Sequence, residues 1–131
     1  MGAIAKSGTP SPSSVTPGQD KSISGLLAGE AIAAGDACYV KNDGKIWKSN
    51  GTSANAAAKV DGFAAQAASV NEAVTLLFDV NFRYGSGLTP GARVYLSTTS
   101  GLLEDAATTG GSAPIGFCVD ATRIRVWQSR Y

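Results

Sequence analysis

Histidine is absent from these 131 residues, and with it the commonest general base and metal ligand near neutral pH. Cysteine occurs twice, too seldom to build a structural zinc site without other ligands. The carboxylates Asp36, Asp43, Asp61, Glu72, Asp79, Glu104, Asp105 and Asp120 are dispersed. The adjacent Glu104-Asp105 would point to opposite faces of a strand and cannot work as a pair. Charge is scarce as well: 16% of residues carry it and the net is +1, which excludes a strong field toward nucleic acid or an anionic membrane. No apolar run is long enough to span a bilayer as a helix. The start, Met1-Gly2-Ala3-Ile4-Ala5-Lys6, has no apolar stretch of about seven residues, so no secretory signal is expected. Its first hydroxyl is Ser7, one place too late for myristoylation. These absences exclude an evident catalytic residue set; neither an enzyme nor a cofactor or metal is expected.

What is present is repetition. Gly35-Asp36-Ala37-Cys38-Tyr39-Val40 is followed by Asn42-Asp43-Gly44, Ile46-Trp47 and Gly62-Phe63-Ala64. Gly91-Ala92-Arg93-Val94-Tyr95-Leu96 is followed by Ser100-Gly101, Leu102-Leu103 and Gly116-Phe117-Cys118. The offset is 56 residues at the first block and 54 at the last (35 to 91, 62 to 116). A unit of strand, turn, strand, loop and strand, duplicated over about 29–80 and 85–127, accounts for both. Ala, Gly, Ser and Thr dominate the composition, which suits tight strands and close subunit packing better than a helical core.

The strands follow from pattern. Ala37 to Val40 and Lys45 to Lys48 flank Asn42-Asp43-Gly44, whose residues tolerate positive φ and so predict a hairpin. Ser49 to Ala58 reads as a polar loop with room for one helical turn, and Val60 to Ala65 as a short strand. Ala73 to Val80 is the strongest single strand, rich in β-formers. Arg93 to Leu96, Gly101 to Glu104, Ile115 to Val119 and the alternating Arg123-Ile124-Arg125-Val126-Trp127 complete the second copy. Short strands with Gly-rich turns predict an all-β barrel or sandwich over residues 25–131.

Residues 1–24 differ. Ser7 to Gln19 holds three prolines and almost no large apolar side chain, too little to offset its own ordering entropy. Spaced anchors, Ile4, Pro10, Pro12, Val15, Pro17 and Ile23, with Leu26-Leu27, predict an extended arm that orders against a neighbouring subunit.

Several features are set aside. Gly85-Ser86-Gly87-Leu88-Thr89-Pro90-Gly91 lacks the lysine of a phosphate loop and leads into a strand, so it reads as a turn. The sequon Asn50-Gly51-Thr52 is taken as chance. Every Lys lies at or before 59 and every Arg at or after 83, yet neither set clusters along the chain. Cys38 and Cys118, in expected strands at non-matching places of the two copies, read as buried free thiols, with a disulfide as the alternative. Trp47, Trp127, Phe63, Phe117, Tyr39 and Tyr95 offer a sugar- or base-stacking platform as one reading, but pairs at roughly matching places favour shared core packing; Trp127 is the candidate exposed aromatic.

The run from Ala31 to Val40, with Gly44-Lys45 and Gly62-Phe63-Ala64, resembles the repeat unit of the capsid decoration (cement) proteins of tailed double-stranded DNA phages. Leu88 to Leu96 with Pro114 to Cys118 resembles it equally, so the likeness covers roughly 29–127. It implies a tulip-like β protein, made in the host cytoplasm, that sits on the outer surface of the virion head. There it would trimerise and clamp neighbouring subunits of the major capsid protein, with no nucleic acid or membrane as partner. A carbohydrate- or receptor-binding module of a phage tail or fibre is the alternative.

Overall fold

The computed structural model describes residues 2–12 and 21–129. Eleven strands form two antiparallel sheets, and one 3-10 turn, Ala56–Ala58, is the helix present among the described elements. The strands are β1 Ser11–Pro12, β2 Ser22–Leu27, β3 Ala37–Val40, β4 Ile46–Lys48, β5 Gly62–Ala64, β6 Ala73–Leu77, β7 Val80–Arg83, β8 Arg93–Leu96, β9 Leu103–Glu104, β10 Gly116–Cys118 and β11 Arg123–Val126. One sheet runs β2-β6-β5-β3-β4 and the other β1-β7-β11-β10-β8-β9. The fold is all-β, and of the expected alternatives it takes the open one: the two sheets face each other without closing into a barrel.

The expected hairpin 37–48 is present. Gly44, at φ 81°, turns the chain, and Asp43 Oδ1 accepts the Lys45 N–H at 2.9 Å. The continuous strand expected over 73–80 is corrected. Asp79 adopts φ 54°, so β6 ends at Leu77 in one sheet and β7 begins at Val80 in the other. An aspartate tolerates this left-handed backbone better than most residues, which lets a run of β-formers change sheets without a glycine.

The order β4-β3-β5-β6 recurs as β9-β8-β10-β11, and the register recurs with it. Cys38 faces Gly62 as Val94 faces Gly116, and Ala37 faces Phe63 as Arg93 faces Phe117. Phe63 faces Leu77 as Phe117 faces Arg125. The glycines explain themselves: Gly35 and Gly91 both lie at positive φ (82° and 84°). A Cβ on Gly62 would come within 2.7 Å of Leu76 Cβ, and one on Gly116 would strike the Arg125 carbonyl. Val40 pairs with Ile46, six residues on, and Leu96 with Leu103, seven residues on. The second turn is one residue longer.

Two cores result. The first lies between the sheets: Ala37, Phe63 and Leu77 meet Val80, Phe82, Val94, Leu96, Cys118, Ile124 and Val126, with the Phe63 and Phe82 rings 6.2 Å apart. The second lies on the far side of the five-stranded sheet, where Cys38, Ile46, Ala64, Val74 and Leu76 are covered by Ala28, Ile32 and Ala68. The two sets therefore stack facing the same way. The side of the first set that bears Ala37, Phe63 and Leu77 packs on the side of the second that bears Val94, Cys118 and Ile124.

The leader does not end at residue 24, because β2 crosses that boundary and pairs with β6. Its described part lies on its own domain. Ala3 bridges to Glu104 on β9, Ile4 N–H donates to Leu103 O (3.0 Å), Ser7 N–H donates to Tyr84 O (2.8 Å), and Ser11 pairs with Arg83. Since β9 closes one edge of the six-stranded sheet and β7 lies near the other, residues 3–11 strap across an end of the sandwich.

Candidate binding face

The hydrogen-bonded carboxylates serve the chain itself. Asp36, nearly buried, accepts the Lys6 ammonium at 2.6 Å and the Ala33 N–H at 2.8 Å. That pair ties the strap to the turn before β3. Asp61 accepts the Val40 N–H at 2.7 Å, Glu30 the Lys48 N–H at 2.9 Å and Glu72 the Ser69 N–H at 2.6 Å. Asp120 takes N–H groups from Thr122 and Arg123 and the Arg123 guanidinium; the Thr122 N–H foremost, these donors hold its carboxyl at about 2. Among the described residues no group of three His, Cys, Asp or Glu could hold a metal.

Cys38 and Cys118 are free and buried in different sheets. Burial pushes the Cys38 thiol well up, helped by the Asp36 charge, and its S–H donates to the Asp36 carbonyl at 3.3 Å. Burial alone raises Cys118. Neither is placed as a nucleophile. Tyr84 is buried with its hydroxyl unpartnered, and desolvation raises it too.

The expected arm residues fall in several places. Ile4 is half-buried against the first core, Pro10 is buried against Gly35, Pro12 is in β1 and Ile23 is half-buried beside the second core. Val15 and Pro17 lie outside the described residues. Trp127 is half-buried, its indole N–H donating to Pro114 O at 3.1 Å. Its neighbour Phe117, 6.1 Å away between ring centres, is the more open of the two at 38% exposure. The expectation of shared core packing thus holds for Phe63 and is corrected for Phe117. Same-way stacking turns the Phe63 side of the first set inward and the Phe117 side of the second outward.

That outward side collects what the sequence left scattered. Along β7, β11, β10 and β8 the outward positions are Asn81 and Arg83, Arg123 and Arg125, Phe117, and Arg93 and Tyr95. Arg83 faces Arg123; Asn81, Arg125, Phe117 and Arg93 form one cross-strand row. Four arginines therefore share a face, although their spacing in sequence shows no cluster. The alternation of Arg123 to Trp127 was the visible signal; the rest needed the register. Gly91, Arg93, Pro114, Phe117 and Trp127 line a shallow pocket of about 390 Å³. Of the four cations only Arg123 has a described ion pair, with Asp120 at 2.8 Å. The face can bind an anion and an apolar group side by side.

Compared with models of known protein families and with curated protein sequences, the chain matches none.

Proposed function

We propose that the protein decorates the outside of a tailed-phage head as a homotrimer, clamping neighbouring major-capsid subunits. In this reading it is a tulip-like molecule built by duplication of one four-strand unit, with its N-terminal strap tied to its own domain. The observation that carries the proposal is the recurrence of strand order and register in β4-β3-β5-β6 and β9-β8-β10-β11, the repeat whose sequence resembles that of capsid decoration proteins. Two further features fit it. The carboxylates Asp36, Asp61, Glu30, Glu72 and Asp120 accept hydrogen bonds from the chain's own turns, strands and strap, as in a structural protein. Leu27 and Val70, 43% and 54% exposed, flank the Asn71 N–H to Ala28 O hydrogen bond (2.8 Å) and offer an apolar contact to another subunit. Attachment to a lattice lets weak single contacts add.

The test is sedimentation with expanded, undecorated heads of the phage that encodes the chain. Co-sedimentation at micromolar protein is expected, and retention in the supernatant overturns the proposal. A second reading, a glycan- or receptor-binding module of a tail or fibre, is favoured by the Phe117–Trp127 pocket with Arg93 at its rim. It requires glycan binding that is lost in Trp127→Ala.

A further inference from the structure

We infer that the outer face of the six-stranded sheet is the docking surface, and that its partner is an acidic protein surface of the capsid lattice; this rests on the decoration reading above. Arg83 and Arg123 are direct cross-strand partners, and Phe117 stands between Arg93 and Arg125. Like charges set opposite each other in a sheet destabilise it, and here one carboxylate, Asp120, answers one arginine. Glu104, across from Tyr95, and Asp105, lining one pocket with Arg93, also border the face; they accept the Ser97 hydroxyl at 3.0 Å and the Gly2 N–H at 2.7 Å and make no described ion pair with its arginines. The strand geometry does not demand arginines: at the corresponding places of the first set stand Ala37 and Leu77. The remaining positive charge is left for an external partner to neutralise.

The composition of the face selects among partners. Arginines around the exposed Phe117 and the half-buried Trp127, with no lysine at the outward positions, is the make-up of protein-binding hot spots. A second copy meeting it face to face would bring arginine against arginine, which disfavours a two-fold dimer here. The Phe117 and Trp127 rings are tilted 44° to each other and offer no parallel platform on which successive bases of a nucleic acid could stack. Charge complementarity with an apolar centre fits an acidic protein surface that presents an apolar side chain to the Phe117 pocket.

The experiment measures occupancy of undecorated expanded heads by wild type, by Arg93→Glu, by Arg93→Glu/Arg125→Glu, and by the charge-matched control Lys41→Glu/Lys45→Glu, with thermal melts of each. Arg93 is exposed, so the single variant keeps the test open should the double variant not fold. Affinity is expected to fall at least tenfold in the arginine variants and to stay within twofold in the lysine control. Wild-type binding should weaken steadily from 50 to 300 mM salt, as screening requires. Folded arginine variants that bind like wild type overturn the inference and leave the decoration reading standing. Heads that wild type does not bind overturn both. Submicromolar binding of a twenty-residue oligo(dT) at 150 mM salt, lost in the arginine variants, would assign the face to nucleic acid and overturn it as well.

Discussion

The Lys6–Asp36 pair shows how much a single short contact carries. The Asp36 side chain is almost closed off (6% exposed) and the Lys6 side chain is largely covered (19%), so removing the cation strands a buried charge. Lys6→Ala is expected to destabilise the fold by about 2–3 kcal/mol, well above the cost of losing an exposed pair, read as a lower midpoint in urea. A change within 0.5 kcal/mol would show that water replaces the ammonium. Glycines make a second contrast. Gly62→Ala must push a new methyl against Leu76 and is expected to cost about 1–3 kcal/mol. Gly44→Ala meets nothing within 4 Å and carries only the strain of positive φ, about 1 kcal/mol. Equal losses at the two sites would refute the close-approach argument. Asp120 titrates below an ordinary aspartate, so whatever stability its ionised form adds is present above the unfolded value, near 4, and is lost as pH falls toward about 2. Carboxyl NMR should find its pKa moving up toward the ordinary value in Arg123→Ala. With burial raising both thiols, Cys38 and Cys118 should resist iodoacetamide at pH 8 until the protein unfolds.

Among the elements, the strap and β2 are where sequence and structure differ most. Proline and serine in residues 7–19 gave no periodic signal, because the strap's ties are backbone hydrogen bonds, the Lys6–Asp36 pair and the fit of Pro10 against Gly35, not a hydrophobic face. Deleting residues 1–12 removes these ties and should lower Tm by roughly 5–10 °C while a cooperative transition survives. Deleting 1–24 also takes Ser22 to Ser24 from β2 and should cost more. If the shorter deletion leaves Tm unchanged, the strap is not part of the stable fold. Other elements were legible. The Asn-Asp-Gly turn fixed the first hairpin, and the alternation of Arg123 to Val126 fixed β11. The break at Asp79 was hidden, because a run of β-formers reads the same whether or not it changes sheets. The arginine face was hidden for a related reason. Alternation tells which residues share a side of a strand, and only the stacking tells which side is covered.

For the molecule as a whole, the test of the docking face is also a test of why it carries charge. If arginines serve only to keep a sheet face wet, their replacement should disturb solubility and leave head binding alone. If they meet an acidic lattice, binding should fall while the melting transition holds.

The same-way stacking has one more consequence. A face-to-face pairing is finished once made, but here the upper side of each four-strand set fits the lower side of the next, so the arrangement has a direction and no inherent end. It is stopped differently at its two ends: Ala28, Ile32 and Ala68 roof one, and guanidinium groups crown the other. A third set spliced between the existing two, with alanine and leucine where Arg93 and Arg125 stand, would have a seat waiting for it, and the molecule would grow into a short column.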